Sequence, residues 1–156
     1  MIKSVINISR AQFKRINFYH TSFNPTKKTH AYISIYGTEY DEIPAPRVNH
    51  AIWMDGIQLQ FDDIEKDIKG LNLKKISKEQ ANQIVQFIIK LHNLPEEIFL
   101  VIHCYAGISR SAGIGKFTND ILKLNLSNYE NLDIFNSFVY SMLKDSWECY
   151  SNRNVM

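Results

Sequence analysis

Residues 103–111 read His-Cys-Tyr-Ala-Gly-Ile-Ser-Arg-Ser. They follow the apolar run Ile98-Phe99-Leu100-Val101-Ile102, and Arg110 stands six positions after Cys104. Each residue type has a use there. A short loop that closes onto a helix N-terminus can turn several backbone N–H groups toward one point. Such a nest, reinforced by the helix dipole, binds a dianion. The same field favours a thiolate over a thiol. The guanidinium of Arg110 is a planar fork able to grip two oxygens of a phosphate at once. Gly107 permits backbone angles that a tight loop demands. Ser111 can donate a hydrogen bond to the sulfur and help it leave in a second step. Taken alone, a cysteine after an apolar strand is most often a small buried hydrophobe, and an arginine at a helix start a surface charge. The complete string in this setting favours chemistry.

The elements that must hold this loop can be read on either side of it. The run 98–102 is continuously apolar, as a strand buried on both faces should be, and a helical pattern runs from Ser111 through Leu124. Upstream, Val5-Ile6-Asn7-Ile8 alternates as a short strand. It runs into Ser9-x-x-Gln12, the spacing of a capping box for a helix over about 10–18. Residues 31–36 are rich in β-formers and end at Gly37, and Ile57-Gln58-Leu59-Gln60-Phe61 alternates as a half-buried strand. Residues 38–50 and 64–76 read as loops. Ser77-x-x-Gln80 repeats the capping box ahead of Ala81, Ile84, Val85, Ile88 and Leu91, one apolar stripe on a helix of about four turns that Pro95 ends. A last amphipathic helix is expected over 131–147. Strands alternating with helices argue an α/β layer fold, here a single domain over residues 1–156.

Bulk properties narrow the field. The apolar fraction of 45% and charged fraction of 22% are ordinary for a globular chain. Cations exceed anions by 18 − 16 = 2 and are scattered, which gives no expectation of a nucleic-acid partner. The start, Met1 to Asn7, lacks the apolar core of a secretory leader. No apolar run approaches the roughly 20 residues needed to cross a bilayer, so no membrane partner is expected. Two cysteines, Cys104 and Cys149, do not form a secreted disulfide framework, and a reduced, cytoplasmic protein is the expectation. Cys149 is expected to be a structural thiol. Gly113-Ile114-Gly115-Lys116 fails as a nucleotide loop, because Arg110 and Phe117 stand where Gly and Ser or Thr are required. The small residues there are expected to pack the helix tightly on the sheet. The histidines at 20, 30, 50, 92 and 103 show no metal-ligand spacing, so neither metal nor cofactor is expected.

At His103-Cys104-x5-Arg110-Ser111 the chain resembles the protein tyrosine phosphatase superfamily. Residues 106–112 are similar to its dual-specificity branch. Direct motif resemblance covers about 13 residues, and the order of elements from 31 to 124 agrees less specifically. The resemblance implies a compact fold of that type, with a central, mostly parallel sheet flanked by helices and the catalytic loop between a buried strand and a helix. It implies Cys104 as nucleophile, Arg110 as phosphate ligand and the loop 105–110 (Tyr105, Ala106, Gly107, Ile108, Ser109, Arg110) around the substrate. It also implies His103 behind the loop, organising it and tuning the thiolate, and Ser111 assisting the leaving sulfur. An aspartate upstream should protonate the leaving oxygen. Phe61-Asp62-Asp63 supplies two candidates, and the family's habit favours Asp63, 104 − 63 = 41 residues before the cysteine. Asp55 and Asp67 are fallbacks.

The implied activity is hydrolysis of phosphate monoesters through a phosphocysteine, on phosphotyrosine first in a protein or peptide partner, with the choice between phosphotyrosine alone and phosphoserine or phosphothreonine as well left open. Phosphoinositides, RNA 5′ ends, arsenate reduction or a catalytically weak phosphate-binding module are the rivals. Residues 105–109 hold no lysine, which lowers the inositol-lipid reading. Substrate selection should depend on the loops at 19–30, 37–50 and 64–76.

Overall fold

The computed structural model describes residues 1–19, 28–38, 44–66, 68–124 and 134–154. In chain order the elements are β1 (Ile2–Ser9), α1 (Arg10–Tyr19), β2 (His30–Tyr36), β3 (Asp55–Gln60), α2 (Lys78–His92), β4 (Ile98–Cys104), α3 (Arg110–Leu122) and α4 (Ser137–Asn154). The four strands form one sheet in the order β1-β4-β2-β3. Every pairing among the described residues is parallel, where the sequence implied a mostly parallel sheet.

β4 is an inner strand between β1 and β2, which is why its side chains are apolar on both faces. Leu100 and Ile102 point into the larger core with Ile33 and Ile35 of β2, Ile84, Ile88 and Leu91 of α2, Ile114 and Phe117 of α3, and Val139 and Leu143 of α4. Val101, one residue out of phase, joins Tyr32, Trp53 and Phe13 of α1 on the opposite face. Helices α2, α3 and α4 therefore cover one side, and α1 with the segment around Trp53 covers the other. Each fully buried Leu, Ile or Phe contributes about 1.5–3 kcal/mol.

Both capping boxes form. Gln12 N–H donates to Ser9 Oγ and Ser9 N–H to Gln12 Oε1. Ser77 and Gln80 exchange the same pair of bonds at the start of α2. The predicted stripe on α2 is buried throughout, with Phe87 added. The last helix departs from expectation. It begins at Ser137 and runs to Asn154, beyond the apolar pattern that suggested 131–147. Its start is set by a local cap, Val139 N–H donating to Asn136 Oδ1, which outweighs the more diffuse periodicity. Residues 131–133 lie outside the described residues. Among those described, no helix is long and apolar enough to cross a membrane.

Parallel strands end together. β1 stops at Ser9 in register with Cys104 of β4, and β2 and β3 run the same way to Tyr36 and Gln60. The loops leaving these ends share one edge of the sheet, the place where open parallel sheets bind ligands.

Candidate active site

The loop from Cys104 to Arg110 is wedged against the β1–α1 junction. Asn7 Nδ2 donates to the Gly107 carbonyl, and Arg10 N–H donates to the Tyr105 carbonyl at 3.1 Å. Gly107 has φ of +80°, and a Cβ there would lie 2.6 Å from the backbone carbon of Ile8 and the nitrogen of Ser9. Glycine is thus required twice over, by angle and by space. This fold of the loop turns Gly107 N–H onto Cys104 Sγ at 3.2 Å. From the other side, Ser111 Oγ donates to the same sulfur at 3.1 Å.

Arg110 opens α3 and is buried. Its Nη1 donates to the Phe61 carbonyl at 2.9 Å, which fixes the guanidinium against the end of β3. Tyr105, Ala106 and Ile108 are exposed, so they form the lip of the loop. The Ser109 hydroxyl, expected at the substrate, instead donates to Asp63 Oδ1 at 2.7 Å.

The adjacent aspartates have separate tasks. Asp62 is buried, and its carboxylate accepts Thr38 N–H at 2.6 Å, Thr38 Oγ1–H at 2.7 Å and Lys74 N–H at 2.6 Å. Burial alone would raise its pKa, but those donors and the Arg110 charge outweigh it and hold the carboxyl below its ordinary value. Asp62 is a fastener between the end of β2 and the returning limb of the 64–76 loop. Asp63 is exposed, and its Oδ1 accepts from Ser109 Oγ and, at 2.9 Å, from Asn136 Nδ2. It is the aspartate joined to the cysteine loop. Asp55 is excluded as a proton donor. It aligns through Ala31 with Leu100, four residues and on the order of 13 Å from Cys104 along the strand, and pairs with Lys90 at 2.7 Å. Asp67 lies outside the described residues, as do parts of the loops expected to select substrate, 20–27 and 39–43.

His103 is fully buried and stacks on Phe13 with ring centroids 3.9 Å apart. Burial drives its pKa down to about 3; the Arg10 and Arg110 charges act the same way, and the Cys104 backbone opposes them. The imidazole is neutral at physiological pH, so what stands behind Cys104 is a packed ring and not a charge. Cys149 is exposed on α4, and both cysteines are free. Gly113 packs against the start of α4, where a Cβ would come 3.0 Å from the Asn136 carbonyl oxygen. The close packing expected against the sheet is here against a helix.

Sequence reasoning missed Asn7, Arg10, Thr38 and Asn136. Only Asn136 carried a local signal, an Asn three residues before Val139 at a helix start.

The parallel sheet, its flanking helices and the cysteine loop at the strand ends make a protein tyrosine phosphatase-like fold. It is similar to the crystal structure of PTPMT1 in complex with PI(5)P, with a TM-score of 0.52 and 17% identity, over 97% of this chain and 94% of that chain. No family model matches the chain, and no curated protein does.

Proposed function

We infer that this chain is a cysteine-dependent phosphatase acting on phosphate monoesters. The observation that carries the reading is Cys104 Sγ held between Gly107 N–H and Ser111 O–H, with Arg110 buried at the same loop. Cys104 Sγ attacks phosphorus, the bond to the ester oxygen breaks, and Asp63 gives that oxygen its proton. The phosphocysteine is then attacked by water, whose proton passes to Asp63. The sulfur departs as thiolate, accepting from Ser111 and Gly107; hydrogen bonds to an ionised acceptor are about twice as strong as neutral ones. Arg110 balances the phosphoryl charge in both steps. Asp63 is assigned the proton because the three donors around Asp62, spread over both its oxygens, favour that carboxylate ionised, whereas both donors to Asp63 fall on Oδ1 and leave Oδ2 for the proton.

The expected substrates are phosphotyrosine, with phosphoserine or phosphothreonine, on a protein partner in a reducing compartment such as the cytoplasm. The motif's dual-specificity character supports this. Phosphoinositides are the second reading, favoured by the inositol lipid bound to the similar structure and weakened by the absence of cations at 105–109. The test is hydrolysis of p-nitrophenyl phosphate in chelator by wild type and Cys104→Ser, followed by kcat/KM on a phosphotyrosyl peptide and on vesicles containing phosphatidylinositol 5-phosphate. Activity confined to wild type is expected, with the peptide preferred. Turnover surviving Cys104→Ser contradicts the reading, and preference for the lipid selects the second.

A further inference from the structure

Asn136 stands where three segments meet, and its own bonds dictate which way its amide faces. The residue is 3% exposed. Its backbone N–H donates to the Ser109 carbonyl at 3.2 Å. Its side-chain oxygen accepts Val139 N–H at 2.9 Å, capping α4. A backbone N–H can only donate, so the oxygen must face Val139 and the NH2 must face Asp63. There it donates to Oδ1, which already accepts the Ser109 hydroxyl. Two donors occupy Oδ1, so a proton on this carboxyl belongs on Oδ2. The next turn of chain is docked on the same helix end, Glu65 Oε1 accepting both the N–H and the hydroxyl of Ser137.

We propose that Asn136 is the positioning residue for proton transfer, using the cap of α4 to aim Oδ2 of Asp63 at the leaving oxygen. This rests on the phosphatase reading above and adds to it a residue that touches neither sulfur nor phosphate. Asn136→Ser separates positioning from structure, because Ser caps a helix about as well as Asn but is too short to replace the NH2 at Asp63. Asn136→Asp is the second variant: it also caps, but sets an acceptor against Asp63.

The measurement is kcat/KM on phenyl phosphate and on p-nitrophenyl phosphate, for wild type, Asn136→Ser, Asp63→Asn and the double variant, with thermal melts. Acid catalysis is worth ~10²–10⁴ in rate. Asn136→Ser should therefore lose about 10-fold or more on phenyl phosphate, whose leaving group needs the proton. It should lose less than about threefold on p-nitrophenyl phosphate and melt as wild type. In the Asp63→Asn background it should add less than about twofold, since its effect passes through Asp63. If Asn136→Ser does not fold, Asn136→Asp is expected to show the same selectivity. Equal loss on both substrates, or an undiminished effect beside Asp63→Asn, would make Asn136 merely structural and overturn the proposal. If Asp63→Asn itself shows no leaving-group selectivity, the acid assignment falls and this inference with it. A selective Asp63→Asn beside an unselective Asn136→Ser sinks this inference alone.

Discussion

A neutral His103 has a measurable consequence for stability between pH 7 and pH 5. Its pKa is 6.5 as an ordinary histidine and about 3 in the fold, so in this range the unfolded chain binds the proton and the native state does not. The sign follows directly. The stabilisation is complete above the unfolded value and is lost as pH falls below it. One pKa unit corresponds to about 1.4 kcal/mol, and pH 5 lies about 1.5 units below the unfolded value, so His103 alone should remove about 2 kcal/mol. For a chain of this length that is roughly 4–8 °C in Tm. Asp62 does not confuse the result, because its carboxyl is held below the ordinary aspartate value of 3.8 and stays ionised at pH 5. The assay is urea unfolding of wild type and His103→Gln at both pH values. The variant is expected to be less stable at pH 7, since it loses the stack on Phe13, but its stability should fall between the two pH values by about 2 kcal/mol less than wild type. Identical pH dependence in the two proteins would refute the burial argument. A wild type that gains stability on acidification relative to the variant would mean an imidazolium in the fold, and with it a charge available to the sulfur.

Three further substitutions probe the frame of the site. Asp62→Ala leaves Thr38 N–H, the Thr38 hydroxyl and Lys74 N–H without their shared acceptor. At ~1.5–3 kcal/mol for each bond to a charged group, partly regained from water, a net loss of about 3 kcal/mol is expected in a thermal melt; a melt like that of wild type would show that Asp62 fastens nothing. Gly107→Ala combines positive φ with a Cβ pressed on the β1 backbone. It should cost about 2–5 kcal/mol and most of the activity, and a silent substitution would show that the loop stands off β1. Arg110→Lys keeps the charge but loses the fork and the hold on the Phe61 carbonyl. At least ~10-fold should be lost in kcat/KM, about 1.4 kcal/mol, unless the arginine faces away from substrate.

What could be read from the chain was what short-range physics decides. The apolar run 98–102 declared an inner strand because no exposed face could tolerate it, and both Ser-x-x-Gln boxes marked helix starts within one turn. Cys104, Arg110 and Ser111 fall together because one loop carries all three. The division between Asp62 and Asp63 was not legible. Neighbouring side chains after a strand diverge, and their partners, Thr38 and Lys74 for one, Ser109 and Asn136 for the other, come from distant segments. Asn7 and Arg10 escaped notice for the same reason, since they serve the loop across the sheet edge. Ser109 was expected at the substrate from its place in the loop, and nothing local announced that its hydroxyl turns to Asp63. The helix expected from residue 131 starts at Ser137 because one capping amide sets the boundary more sharply than apolar periodicity can.

The covalent intermediate is the centre of this account. Wild-type protein mixed with p-nitrophenyl phosphate, quenched in acid within the first turnovers and digested, should yield one peptide carrying a phosphoryl group, with the modification on Cys104. Cys104→Ser should yield none, and Asp63→Asn should retain more of it, because hydrolysis of the adduct then lacks its base. A phosphoryl group on another residue, or release of p-nitrophenol with no adduct at Cys104, would contradict a cysteine nucleophile.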